Sequence, residues 1–248
     1  MSRVAVITGG ASGIGAAISG RLARRGHKVA LFDQAGDTLK QQVNALQHSG
    51  CDARGYEVDV TDRAAVIDAV NAVRCDLGPV HIAVTSAGIT SYAPFTELSI
   101  EQWNRTLAIN LTGTFNSVQA VIPDMIAAGW GRVVTISSAA GQAAAPGQAD
   151  YVASKGAVIA LTRALAAEFA GHGITVNTIP PALVDTPMAR AAEADGTLPA
   201  SLDDIGAMLP LKRVGTSDDI AAACEFLCSE DAGYITGQQI NVNGGIYM

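Results

Sequence analysis

Charge is scarce in this chain and nowhere concentrated. Asp, Glu, Lys and Arg make up 16% of its 248 residues, the net charge is -7, and no block of like charges occurs. Nucleic acid and anionic membrane surfaces are therefore poor partners, and a small-molecule substrate fits better. Cysteine is equally sparse: Cys51, Cys75, Cys224 and Cys228 are scattered, and only the last two lie a helical turn apart. They read as small hydrophobes in a reducing cytosol, and since His27, His48, His81 and His172 are isolated as well, no metal site is expected. No apolar run reaches membrane-spanning length, and the N-terminus enters a strand-like run, "RVAVIT", without the regions of a signal peptide. A cytoplasmic location is the expectation.

No repeat or low-complexity linker breaks the chain, and 49% hydrophobic residues over this length support one large core. What the sequence does hold is a regular alternation. Short β-branched runs at 3–8, 28–33, 53–60, 80–85, 132–137, 174–179 and 238–243 are separated by helical patterns at 13–26, 36–49, 62–76, 100–127, 151–170 and 217–228. Strand runs apolar throughout are buried on both faces, and crossover helices make the sheet parallel. The pattern predicts a single doubly wound Rossmann-like α/β domain over 1–248, with a seven-stranded parallel sheet. Ser99 with Gln102, and Thr216 with Asp219, carry the spacing of capping boxes. Residues 186–212 form the one long irregular segment, which reads as a substrate lid.

The first strand runs into "TGGASGIG", residues 8–15, at the start of the first helix. Gly9, Gly13 and Gly15 either close a tight turn or let the backbone approach a pyrophosphate, whose charge the helix start would receive. Asp33 ends the second strand 20 residues after Gly13, where a carboxylate can accept a ribose 2′-hydroxyl or simply end a strand in a turn. With Ser12 in the loop and Gln34 beside Asp33, nothing basic waits for a 2′-phosphate, and NAD is the expected cofactor. Asp59 and Val60 end the third strand, where they can face an adenine.

Tyr151 and Lys155 stand one helical turn apart in "YVASK", on the same side of an otherwise apolar helix. Either they share a solvated face, or the ammonium makes the phenol a usable acid and base. Lowering a phenol's pKa of ~10 by about 3 units takes roughly 4 kcal/mol, which one cation about 4 Å away at an effective dielectric near 20 supplies.

With these motifs the chain resembles the classical short-chain dehydrogenases/reductases over its whole length. "TGGASGIG" is similar to that family's TGxxxGxG loop, "DV" at 59–60 to its adenine contact, "IN" at 109–110 to its catalytic asparagine, "ISS" at 136–138 to its catalytic serine and "YVASK" to its YxxSK motif. The C-terminal "GYITGQQINVNGGIYM" is especially similar to 3-oxoacyl-(acyl-carrier-protein) reductases. The resemblance implies a catalytic set of Asn110, Ser138, Tyr151 and Lys155. In it Tyr151 exchanges the proton, Ser138 bonds the substrate oxygen, Lys155 holds the nicotinamide ribose and Asn110 holds a relay water, although a mid-helix asparagine also suits a solvated face. It further implies dinucleotide contacts from Gly9, Ser12, Gly13, Ile14, Gly15, Asp33, Asp59, Val60, Ser86, Ala87, Gly88, Tyr151, Lys155, Pro181, Val184 and Thr186, and a homotetramer. Two departures stand out: "TSAG" at 85–88 replaces the family's NNAG, and "PPA" ending at Ala182 replaces its PG.

The leading expectation is an NAD(H)-dependent oxidoreductase interconverting a secondary alcohol and a ketone. Small side chains between Ser138 and Tyr151, with Met188, Leu198, Leu202, Ile205, Met208 and Leu209 in the lid, suggest a bulky apolar substrate such as a hydroxysteroid, unless the lid residues pack on each other. Arg190 is the only arginine between Thr186 and Lys212. A 3-oxoacyl-(acyl-carrier-protein) or 3-hydroxyacyl thioester substrate is the alternative, and a non-catalytic NAD-binding sensor or a nucleotide-sugar epimerase stands behind it. Against a carrier protein, the stretches 127–132 and 170–174 offer little that is basic beyond Arg132 and His172.

Overall fold

The computed structural model describes residues 2–143 and 145–247. Strands β1 (Val4–Thr8), β2 (Lys28–Asp33), β3 (Ala53–Glu57), β4 (Val80–Thr85), β5 (Gly131–Ile136) and β6 (Ile174–Ile179) form one parallel sheet in the order β3-β2-β1-β4-β5-β6. The strands β1, β4, β5 and β6 are almost wholly buried, as the β-branched and apolar residues that dominate them lead one to expect. Alternate side chains feed two cores. Ala5 and Ile7 of β1 face α1 (Gly13–Arg24), α2 (Gly36–His48) and α9 (Ser217–Leu227), where Ile18, Leu22, Leu39 and Ile220 pack. Val4 and Val6 face the other side, covered by α3 (Arg63–Asp76), α5 (Gly113–Ala128) and α6 (Ala149–Phe169) through Val66, Val70 and Val121.

Six strands rather than seven make up this sheet. The expected seventh, 238–243, runs parallel to β6, with Thr178 N–H donating to Gln238 and Ile240 N–H to Thr178, both at 2.9 Å. Pairing is confined to the bridges Thr178–Gln239 and Pro181–Val242. Pro180 and Pro181 have no N–H to give, so the ladder stops where β6 ends.

The helix expected over 100–127 is α4 (Ile100–Leu107) joined to α5 by a π-helical turn, Ala108–Thr112. Asn110 lies in that turn, the kind of local irregularity that clusters at functional sites. Residues 186–212 are less irregular than their composition suggests, for they contain α7 (Pro187–Ala194) and α8 (Leu202–Met208), capped by Thr186 and Ser201. This arm leaves the domain at β7 (Val184–Asp185) and returns at β8 (Gly215–Thr216), and the two strands pair, so both ends are anchored together. Cys224 and Cys228 are buried in α9, whereas Cys75 is exposed on the last turn of α3. No helix among the described residues is long and apolar enough to cross a membrane.

Thr216 and Asp219 form the expected capping box at α9, whereas Ser99 only accepts from Gln102 N–H, without the reciprocal bond. Arg213 donates to both oxygens of Asp219 at 2.7 and 2.9 Å. That guanidinium, with the Thr216 N–H, holds the carboxyl well below the usual carboxylate range. A carboxylate whose pKa is depressed by folding stabilises the fold above its unfolded value near 4, and that stability is lost as pH falls. Asp219→Asn is expected to lower the urea midpoint at neutral pH and to flatten the loss of stability below about pH 4; an acid limb as steep as the parent's would contradict this.

Candidate functional site

One cavity of about 590 Å³ runs across the carboxyl ends of the strands, lined from Gly9, Asp33 and Val60 at one end to Ser138, Tyr151 and Tyr92 at the other. It lies beside the switch point, where β1 is flanked by β2 and β4, the position at which doubly wound sheets take ligands.

At the glycine end the chain passes from β1 to α1 with almost no clearance. A Cβ on Gly15 would sit 2.1 Å from the Gly9 carbonyl oxygen, so only glycine lets the helix start this close to the strand end. The first N–H groups of a helix have no partner within it, and Ser12, the N-cap residue, makes no capping bond with its side chain. Asp33 Oδ2 accepts Ala11 N–H at 3.1 Å and Oδ1 accepts Ala35 N–H at 3.0 Å, fixing the carboxylate against the loop. Asp59 folds back on Thr61, accepting its N–H at 2.9 Å. No arginine lines the cavity among the described residues, and Lys155 is its one cation.

The two sequence departures have local answers. In "TSAG" the backbone is pinned by Thr8, whose Oγ1 accepts both Ser86 and Ala87 N–H at 3.2 Å. Thr85 Oγ1 is buried without a partner among the described residues. In "PPA", Ala182 takes no left-handed conformation, for Lys212 is the only non-glycine with positive φ among the described residues. The Pro181 carbonyl accepts Ala139 N–H at 2.8 Å and so steadies the turn after Ser138. Val184 and Thr186 reach the cavity from the base of the arm, and a Cβ on Gly13 would lie 3.5 Å from the Thr186 methyl.

At the other end Ser138, Tyr151 and Lys155 line the same wall. Lys155 is buried and donates to the Ile136 carbonyl at 2.9 Å, with its Nζ 5.8 Å from the Tyr151 ring centroid. Burial lowers its pKa to about 8. Burial also drives the Tyr151 phenol up, the Ser138 hydroxyl drawing it partly back. In the protein alone desolvation therefore outweighs the tuning of Tyr151 that one close cation was expected to give. Asn110 is 1% exposed, and its amide accepts Ile89 N–H at 2.9 Å and donates to the Ile89 carbonyl and Ser154 Oγ at 3.0 Å. It lies close to Lys155, since a Cβ on Gly88 would be 3.2 Å from Asn110 Oδ1 and 3.3 Å from Lys155 Nζ.

Of the apolar arm residues, Met188 and Leu198 line the cavity. Leu202 and Leu209 are buried elsewhere, and Met208 is exposed. Arg190 turns away to pair with Asp185 at 2.6 Å. Sequence reasoning passed over Thr90, Tyr92, Gln148, Ile246 and Tyr247, all of which line the cavity. For Thr90 and Tyr92 a signal existed, because they follow β4 at the carboxyl edge where ligands bind.

Residues 9–247 match the protein family described as enoyl-(acyl carrier protein) reductase. The chain is 42% identical to an acetoacetyl-CoA reductase of Rhizobium meliloti, over all of both chains. It is 36% identical to a 3-oxoacyl-[acyl-carrier-protein] reductase of Escherichia coli, covering 99% of this chain and 98% of that one. It belongs to the short-chain dehydrogenase/reductase family. A solved actinorhodin polyketide ketoreductase variant, crystallised with NADPH, superposes with a TM-score of 0.94 at 34% identity, covering 99% of this chain and 97% of that one. The protein is thus an oxidoreductase acting on CH–OH or keto groups with a nucleotide cofactor, in the 3-oxoacyl-reductase-like branch that its C-terminus resembles.

Between about 8 and the 10.5 of a free lysine, the unfolded chain holds the Lys155 proton more tightly than the folded one. Stability of the cofactor-free protein should therefore rise with pH through that window. Lys155→Met is expected to erase this rise, to be no less stable than the parent at neutral pH, and to lose most of the Tm increase that dinucleotide gives the parent. Full retention of that increase would show that Lys155 does not hold the cofactor.

Proposed function

We propose that this protein reduces the ketone of a short 3-oxoacyl thioester to a secondary alcohol, using NADH, with coenzyme A bearing the acyl group. The observation that carries the reading is the convergence of Ser138, Tyr151 and Lys155 on the cavity that also holds the glycine loop and Asp33. The residues fit a nicotinamide dinucleotide. The Lys155 ammonium gives one proton to Ile136 and has others free for a ribose diol at the cavity wall. When bound, the dinucleotide supplies the hydride. Ser138 then bonds the ketone oxygen, and Tyr151, kept protonated by burial, donates to that oxygen as negative charge develops there. Asn110 steadies Ile89 and keeps an oxygen lone pair for a relay water beside Lys155.

Acetoacetyl-CoA reduction by the Rhizobium meliloti relative supports this substrate class over a hydroxysteroid. Coenzyme A is preferred to a carrier protein because the Rhizobium meliloti relative is an acetoacetyl-CoA reductase. Arg132, a basic residue available in sequence to an acidic carrier protein, is 3% exposed and stacked on Trp130 at 4.3 Å, out of such a partner's reach. For the cofactor, the crystallised ketoreductase carries NADPH. Here a 2′-phosphate would meet Asp33 in a cavity whose one lining cation, among the described residues, is Lys155 at the far end.

Acetoacetyl-CoA is expected to be reduced with kcat/KM at least tenfold higher for NADH than for NADPH, and Asp33→Ala should erode that ratio. An NADPH preference in the parent would overturn the cofactor assignment. Tyr151→Phe is expected to bind NADH, as read by its fluorescence, yet lose turnover by about 10²-fold or more; substantial residual activity would place the acid elsewhere.

A further inference from the structure

The loop leaving β4 is strapped to the start of α6 almost residue by residue. Gln148 Nε2 donates to Thr90 Oγ1 at 2.8 Å, Ser91 Oγ donates to Asp150 Oδ2 at 2.5 Å, and Ala93 N–H donates to the Gly147 carbonyl at 2.8 Å. Asp150 is 1% exposed and also accepts the Thr106 hydroxyl at 2.7 Å and Tyr151 N–H at 2.8 Å. One buried carboxylate thus ties the loop, α4 and the residue that bears the phenol into a single unit. Surface loops ordinarily keep their conformational freedom, and ordering one in this way makes sense where it presents a side chain to a ligand.

The side chain so presented is Tyr92, between the strapped Ser91 and Ala93. It is 37% exposed and lines the cavity. Burial pushes its phenol up, and Gln148, the residue that holds Thr90, lines the same wall of the cavity. A phenol is both donor and acceptor, so at the cavity wall its proton can be given to a ligand oxygen, and burial keeps that proton on at neutral pH. The same wall carries Tyr151, close enough that Tyr92 contributes to raising it.

We infer that Tyr92 is a specificity-determining donor: it binds a second carbonyl of the substrate, one methylene away from the ketone at Ser138 and Tyr151. The site then selects 1,3-dicarbonyl compounds over simple ketones, because a substrate lacking the second carbonyl leaves the Tyr92 proton unanswered. This rests on the reading of the site as a 3-oxoacyl thioester reductase and adds what recognises the thioester end.

The test compares kcat/KM for ethyl acetoacetate, which has both carbonyls without coenzyme A, with kcat/KM for 2-pentanone, using NADH or NADPH, whichever the parent prefers. The parent is expected to favour the ketoester, and Tyr92→Phe to lower the ratio about fivefold to tenfold, as one lost hydrogen bond would. Ser91→Ala, which loosens the strap but keeps the phenol, should lower it by a smaller factor. A ratio unchanged in Tyr92→Phe, an equal loss on both substrates, or a parent without preference for the ketoester overturns the inference. If the parent reduces ethyl acetoacetate but not acetoacetyl-CoA, the thioester reading fails, and the ratio still judges Tyr92.

Discussion

The Lys155 ammonium sits inside the protein with one partner, the Ile136 carbonyl, at the carboxyl edge of the sheet. Taking such a charge out of water costs several kcal/mol, and a single neutral acceptor does not restore it. Burial lowers its pKa to about 8 but leaves it mostly charged at neutral pH. The surroundings are arranged around that unanswered cation. Gly88 gives it room that any side chain would fill, the π-helical turn brings Asn110 to its side, and α6 holds it one turn from Tyr151. A fold that keeps so costly a group in place is incomplete without a ligand rich in oxygen acceptors, and the glycine loop opens on the same cavity.

The same desolvation acts oppositely on the neighbouring phenol. Burial disfavours charge of either sign, so it lowers Lys155 and raises Tyr151. The resting site therefore carries a protonated phenol, the form needed to give a proton to a reacting ketone. Oxidation of an alcohol would need the phenolate, which the protein alone does not favour. The Tyr–Lys spacing suggested a tuned base, and in the protein alone burial outweighs that tuning.

The fold was legible because its period changes cleanly: β-branched runs matched six strands to within a few residues, and the helical stretches between them, 100–127 excepted, were found as expected. What failed to show had physical reasons. A π-turn inserts one residue into a helical pattern without disturbing its apolar face enough to be noticed, so 100–127 read as one helix. The strand at 238–243 has the right composition, yet whether it joins the ladder depends on its neighbour, and Pro180 and Pro181 cannot donate. The arm concealed α7 and α8 because each spans two turns or fewer, with apolar residues divided between an inner face and the cavity. Ser138, Tyr151, Lys155 and Asp33 were legible as local motifs, whereas the pairing of Thr90 with Gln148 links positions more than fifty residues apart and has no local trace.

Charge along the cavity gives a ligand its direction. Asp33 and Asp59 stand at one end, the open amides at the start of α1 lie next to them, and Lys155 is at the other end. An anion is repelled by the first, held by the second and attracted by the third, and on the proposed function a dinucleotide would answer all three with ribose hydroxyls at Asp33 and its diphosphate on the helix start. None of this acts at long range, because charges further apart than a Debye length of about 8–10 Å are screened, and within that distance the net charge of -7 opposes an anionic cofactor. On the proposed function, recognition would therefore depend on short-range hydrogen bonds to backbone amides and to one buried ammonium. Moderate salt, by screening the long-range repulsion, should hasten cofactor encounter while leaving those contacts nearly intact.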